Sequence, residues 1–190
     1  MDERARRIVS TAVELAEKGG FEAVRLRDVA SSSGVALGTL YRHFRSKEDL
    51  LVAALTEEIE QLEQRMDAHP AAGTTSTDRV SSFFSTATNG LCRRPMLAKA
   101  MLRATTSGLP ELTEKVAAFH GRMTGMIAAA IRGNGAGAKG DSSFSDDEIC
   151  RGALLMQVWF ASLVGWSGGV HDKAAAIDQV RVAAAMLLDD

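Results

Sequence analysis

Apolar residues return every three or four positions along almost the whole of this 190-residue chain, and nowhere do they alternate over a useful length. A recurrence near 3.6 residues buries one stripe of a helix, whereas a half-buried strand needs a period of two. Ile8, Ala12, Val13, Leu15 and Ala16 form such a stripe over residues 3–18, closed by Gly19 and Gly20. Residues 21–26 connect it to a short helix at about 27–32, a turn around Gly34 and a second short helix at about 37–43. Ser46 is placed to cap a longer helix running to about Ala68, and Asp49 stands where a capping-box acid would. Residues 70–77, rich in Ala, Gly, Ser and Thr, read as a loop. Further helices are expected over 78–91, 95–105, 110–132, 146–167 and 173–188, with a Gly-rich, polar, mobile loop at 133–143. The expected fold is all-α: an N-terminal three-helix helix-turn-helix unit, residues 1–48, and a C-terminal helical bundle, residues 49–190.

Composition narrows the setting. A chain that is 46% hydrophobic and 24% charged can bury a core. No apolar run reaches the roughly 18 residues of a membrane span, and the charged start MDERARR is not a signal core. Cys92 and Cys150 have 57 residues between them, and His43, His69, His120 and His171 show no ligand spacing. These features lead to the expectation of a cytoplasmic protein with reduced thiols, no metal, no cofactor and no membrane partner.

One segment departs from this aliphatic background. SSSGVALGTLYRHFRSKEDLL, residues 31–51, holds the chain's single tyrosine and gathers Thr39, Tyr41, Arg42, His43, Arg45 and Lys47 into nine positions. Net charge is −2 overall, yet Arg25 to Lys47 carry five Lys/Arg against Asp28 alone, so this stretch is +4 and the rest −6. Val29, Ala30, Val35, Leu40 and Phe44 are the apolar positions that would hold two short helices together. Leu37, Gly38, Thr39, Tyr41, Arg42 and His43 are left towards the outside. Arg can read guanine edges, and Thr and Tyr can hold phosphates or touch thymine methyls. Gly38 would let backbone approach backbone. Lys47 lies in the first turn of the next helix, where free N–H groups already favour an anion. The bland alternative is a solvated face on a packing hairpin.

The stretch VRLRDVASSSGVALGTLYRHFRSKEDLL resembles the DNA-binding signature of the TetR family of bacterial transcriptional regulators. The matching pieces are Asp28-Val29-Ala30, Gly34-Val35, Gly38-Thr39-Leu40-Tyr41, Phe44 and Ser46-Lys47-Glu48, and the likeness is dense over about residues 5–55. Arg45 stands where many members carry a Pro or another small or basic residue, a slight departure. The resemblance implies an all-helical homodimer on a palindromic double-stranded DNA operator, repressing until a small molecule binds the C-terminal domain. It implies DNA-facing roles for Arg27, Thr39, Tyr41, Arg42, His43 and Lys47. RRPMLAKAMLRA and QVWFASLVGW also resemble a KstR-like subgroup concerned with steroid catabolism. That likeness implies a hydrophobic acyl or steroid effector, free or as its coenzyme A thioester.

The C-terminal helices carry more apolar residues than one stripe needs. Phe83, Phe84, Met101, Phe119, Met123, Met156 and Trp159 are the candidate lining of an apolar effector pocket, Met being adaptable in shape; plain core is the competing reading. The last two helices are apolar on more than one face and need cover on both sides. Phe160, Val164, Ile177, Val180 and Ala184 are the expected homodimer interface. Two enzyme-like motifs occur. Gly165-Trp166-Ser167-Gly168-Gly169 matches G-x-S-x-G, but no strand precedes it, and His171 and Asp172 come in the wrong order for a nucleophile elbow. A serine esterase is the alternative it would imply. Residues 135–140 match G-x-G-x-x-G with no strand leading in, and read as a flexible loop.

Overall fold

The computed structural model describes residues 2–133 and 144–188. Among these residues the chain is helical and holds no strand: α1 (Glu3–Ala23), α2 (Leu26–Ser32), α3 (Leu37–His43), α4 (Lys47–Ala68), α5 (Ser76–Cys92), α6 (Pro95–Thr105), a 3-10 turn (Pro110–Leu112), α7 (Thr113–Arg132), α8 (Asp146–Ser167) and α9 (Lys173–Leu187). Of the expected loop at 133–143, residues 134–143 with the glycine motif lie outside the described residues.

The chain packs as two compact units. The first comprises residues 1–58 and 93–116, the second 59–92 and 117–190. Helices α4 and α7 therefore contribute residues to both. Neither unit begins or ends at the expected 48/49 boundary.

In the first unit, α1 presents Ala5, Ile8, Val9, Ala12 and Ala16 to the interior. It packs on α2, α3 and α6. Full burial of an Ile or Leu side chain contributes about 1.5–3 kcal/mol, and Ile8, Leu40, Leu50, Leu51, Leu97 and Met101 are all buried to within 1%. α1 does not simply stop at its glycines. Gly19 (φ −141°) and Gly20 (φ 66°, ψ −158°) leave helical geometry, and residues 21–23 form one more turn beyond the break. At Gly20 the backbone is left-handed, and a Cβ would lie 3.1 Å from the Met96 methyl at the start of α6. Arg94, at the N-cap of α6, reaches Glu17 at 2.7 Å and pairs with Glu58. These contacts fasten α6 to α1 and to the first half of α4.

In the second unit the core is aromatic and Met-rich. Phe83 and Phe84 of α5 meet edge to face at 5.2 Å, and Phe84 lies 5.8 Å from the Trp159 ring of α8. The buried Trp159 indole N–H donates to Thr88 Oγ1 at 2.8 Å, so its polar atom is satisfied inside the core. A Cβ on Gly152 of α8 would meet the Thr124 carbonyl of α7 at 3.1 Å, so glycine permits that close crossing. Arg79 donates to the carbonyls of Ala130 (2.9 Å) and Ile131 (2.6 Å), satisfying acceptors at the end of α7. Helix α9 packs on α5 and α8.

Candidate nucleic-acid interface and apolar core

Helices α2 and α3 are joined through Gly34, whose φ of 66° turns the chain. Ser33, buried just before it, donates its hydroxyl to the Val29 carbonyl at 2.6 Å, and Val35 N–H bonds Ala30 O at 3.0 Å. Leu40 and Phe44 point inward, as their spacing requires. Tyr41 is 51% exposed, Gly38 and Arg42 are exposed, and Leu37, Thr39 and His43 are half-buried on the same short helix. Arg42 Nη2 donates to Thr39 Oγ1 at 3.1 Å, which holds the guanidinium along the helix face. Arg27 is exposed on α2, and a Cβ on Gly38 would meet nothing within 4 Å. Among the described residues, Arg27, Arg42 and Arg45 have no carboxylate partner. Seven of the eight sequence candidates thus lie on α2 and α3, exposed or half-buried.

Lys47, the eighth, differs from expectation. Its ammonium is not free at the start of α4. It donates to Glu22 Oε2 at 3.3 Å and the Phe21 carbonyl at 3.4 Å, and lies 3.9 Å above the Phe21 ring. Arg103 of α6 pairs with the same Glu22 at 2.8 Å and sits 4.1 Å from the same ring. Phe21, Glu22 and Arg103 escaped the sequence reading because Arg103 follows Lys47 by more than fifty residues and no spacing links them. The start of α4 is fixed by Ser46, whose hydroxyl accepts from Asp49 N at 3.1 Å, while Asp49 Oδ2 accepts from Arg45 N at 3.0 Å. The buried Asp49 carboxylate also pairs with Lys115.

The seven apolar candidates are all buried, but they do not share a unit. Met101 belongs to the first; Phe83, Phe84, Phe119, Met123, Met156 and Trp159 belong to the second. Those six are packed core, and a half-open groove of about 370 Å³ in that unit is lined by other residues: Glu63, Asp67, Arg122, Gly125, Met126 and Phe144. That volume falls within the range of small-molecule sites. Arg122 crosses it with Nε on Glu63 at 2.9 Å and Nη1 on Glu60 at 3.4 Å. A space of about 10 Å³, roughly one water, touches Phe83, Met66 and Met126.

Of the interface candidates, Val164 is 39% exposed, and Phe160 and Ile177 are half-buried. Val180 and Ala184 are fully buried within the chain itself, on the face of α9 that packs against α5 and α8, so neither belongs to a surface. The other exposed large apolar residues of these two helices are Ile149 and Leu154 on α8 and Val182 and Met186 on α9. The G-x-S-x-G stretch forms a helix end. Ser167 Oγ donates to Val164 O at 2.9 Å, and His171 Nε2 lies 2.9 Å from Ser162 O. Gly165 is small because a Cβ there would come within 2.4 Å of the His171 ring. Among the described residues no group of three His, Cys, Asp or Glu is placed to hold a metal.

Comparison with known proteins accords with this architecture. Residues 8–54 match the family profile described as "Bacterial regulatory proteins, tetR family", and residues 73–187 match "Tetracyclin repressor-like, C-terminal domain". The HTH-type transcriptional repressor KstR of Rhodococcus jostii is 31% identical over 188 residues, 99% of this chain and 84% of that protein. KstR of Mycolicibacterium smegmatis is 33% identical over 176 residues, 93% and 81% of the two chains. A crystal structure of a TetR transcriptional regulator from Rhodococcus sp. RHA1 superposes with a TM-score of 0.79 at 29% identity, covering 97% of this chain and 94% of that one. FadR of Bacillus subtilis, solved with stearoyl-CoA, shares the fold with a TM-score of 0.67 at 19% identity, covering 97% and 99%. The two profiles, the KstR relatives and the open basic helix-turn-helix place the chain in the TetR family, as a DNA-binding transcriptional repressor and not an enzyme.

Proposed function

We propose that this repressor acts as a cytoplasmic homodimer on a palindromic operator and is released by a mostly apolar small molecule of acyl or steroid type, free or as a coenzyme A thioester. Residues 1–48 form the DNA-binding domain, and residues 49–190 bind the effector and the second subunit. The observation that carries the reading is the α3 surface. Thr39, Tyr41, Arg42 and His43 stand together on a helix fixed by a buried Leu40–Phe44 edge, with no acid among the described residues paired to Arg42. Such a face supplies both sequence-independent phosphate attraction and base-edge contacts.

A second subunit is supported by α8. An 18-residue window of this 22-residue helix has a mean hydropathy of 1.3, enough by composition to cross a membrane, yet α8 packs against α9 and only 33% of that window is buried among the described residues. An apolar helix left half-uncovered needs a partner surface, and two copies of one chain pair by a self-complementary patch. A twofold dimer reads two half-sites about one helical turn of DNA apart. The effector class is supported by the KstR likeness and by the fold shared with the stearoyl-CoA complex of FadR. The half-open 370 Å³ groove, with Met126 and Phe144 beside Arg122, Glu63 and Asp67, suits a molecule with one polar end.

Selection of bound fragments from a genomic DNA pool tests the reading. A recovered palindrome, released when fatty acyl or steroid compounds or their coenzyme A thioesters are added, is the expected result. Absence of any enriched sequence would leave a helical interaction protein. Release by a compact polar molecule alone would remove the apolar effector.

A further inference from the structure

Phe21 and Glu22 stand in the extra turn that α1 makes past the Gly19–Gly20 break. Two cations from two other helices meet there. The Phe21 ring carries the Lys47 ammonium at 3.9 Å and the Arg103 guanidinium at 4.1 Å from its centroid. Glu22 divides its carboxylate between the same two groups, Oε1 to Arg103 at 2.8 Å and Oε2 to Lys47 at 3.3 Å. With the Phe21 carbonyl also taken at 3.4 Å, two of the three ammonium donors of Lys47 are engaged. The carboxyl of Glu22 is held below its ordinary range by the hydrogen bond from Lys47 first and that from Arg103 second, so it stays ionised at neutral pH.

We propose that Glu22 is a positioning residue that attenuates DNA binding: it competes with the DNA phosphate for Lys47, and Arg103 of α6 sets how strongly it does so. The inference rests on the reading of Lys47 as a phosphate contact. A carboxylate and a phosphate on one ammonium oppose each other, because each cancels part of the charge that attracts the other. Arg103 makes the shorter contact and draws Glu22 towards α6. Any displacement of α6 that withdraws Arg103 leaves Lys47 as the carboxylate's remaining cation, and the acid closes on it. α6 packs on α1 and is fastened to it through Arg94–Glu17, so its position is registered at this joint. The device thus converts a shift of α6 into a change of effective charge at the start of α4.

Glu22 and Arg103 have side chains 71% and 59% exposed, so Glu22→Gln and Arg103→Gln leave the core packing alone. Affinity is measured over a series of salt concentrations, for a duplex recovered from the selection above and for a random duplex of equal length. Glu22→Gln is expected to tighten binding of both about two- to fivefold and to steepen the salt slope by about one unit. That gain is expected to vanish in a Lys47→Ala background. Arg103→Gln is expected to weaken binding several-fold alone and very little in a Glu22→Gln background. A Glu22→Gln gain that survives Lys47→Ala makes Glu22 a generic surface charge and overturns the proposal. So does an Arg103→Gln loss of equal size in both backgrounds, which makes Arg103 a direct DNA contact. Lys47→Ala without effect on a chain that still selects a palindrome removes the phosphate role of Lys47, and this proposal with it. Failure to select any DNA reaches the proposed function itself.

Discussion

Tyr41 leaves half its surface in solvent on a chain with plenty of core to offer an aromatic ring. Arg42 beside it is held along the helix by Thr39, and both belong to the proposed DNA-reading face. Tyr41→Ala or Arg42→Ala is expected to cost about 1–3 kcal/mol of specific operator binding, read by titrating the selected duplex against each variant. Unchanged affinity in the double substitution would remove α3 as the reading helix. A second residue carries a pH signature. Glu148 caps α8 with Ser145 and bonds Arg132, and the Arg132 bond is the main reason its carboxyl is held at about 2, below the usual 4.5. The folded carboxyl is the more acidic, so the unfolded chain takes up the proton first. The contribution to stability is whole above about pH 4.5 and is lost as pH falls towards 2. The melting-temperature gap between the parent and Glu148→Gln is therefore expected to close between about pH 6 and pH 2.5. A gap constant across that range would contradict it. Thr39, Tyr41 and Arg42 could be read from the sequence because polar side chains crowd a helix whose inner positions, Leu40 and Phe44, are unmistakable. The tether on Lys47 could not, since its partners come from the break after Gly20 and from α6.

At the scale of elements, the 3.6-residue pattern placed each helix, and the differences lie in caps and breaks. α5 begins at Ser76 and not at 78, because Thr75 and Asp78 form a capping pair: Thr75 Oγ1 accepts from Asp78 N at 3.0 Å and Asp78 Oδ2 accepts from Thr75 N at 3.4 Å. The Thr-x-x-Asp signature was present, but the Ala, Gly, Ser and Thr around it read as loop. Thr75→Ala is expected to lower stability by about 1 kcal/mol, measurable by denaturant unfolding. A single 3-10 turn at Pro110–Leu112 delays α7, as Leu112 N–H bonds the Leu109 carbonyl three residues back. The break in α1 has the larger consequence. Gly20 at φ 66° and ψ −158° occupies a region costly for any residue with a Cβ, and that Cβ would press on Met96. Gly20→Ala is expected to cost about 1–3 kcal/mol and to loosen the turn that holds Phe21 and Glu22. Melting temperature and operator affinity should both respond. A variant as stable as the parent would show that the left-handed turn is not required.

For the molecule as a whole, the pattern of burial separates what one chain satisfies from what it leaves open. The sequence showed that α8 and α9 are apolar on two faces, but not which face each packs inside, because Val180 and Ala184 recur at the same helical spacing as a surface stripe would. Within the chain those two are interior, while Leu154 (48%), Val164 (39%), Val182 (44%) and Met186 (77%) remain outside. Leu154, Ala161 and Val164 follow one another at spacings of seven and three, so they share one face of α8, spread over about 80° at 3.6 residues per turn. A charge placed there tests the dimer without confounding the fold. Phe160 is a poorer site, since its ring meets Phe119 at 6.3 Å and His120 at 5.3 Å inside the same chain. Leu154→Asp with Val164→Asp leaves a solvated carboxylate in a monomer, but sets unpaired charges into the centre of a twofold interface, where each costs several kcal/mol. The expected outcome is a folded monomer: helical circular dichroism retained, sedimentation mass halved. Operator affinity should fall well below the parent's, because the second half-site is no longer delivered at high effective concentration. A random duplex, bound mainly through the charge of α2 and α3, should lose far less. A double variant that stays dimeric and binds the palindrome like the parent would place the subunit contact on another surface.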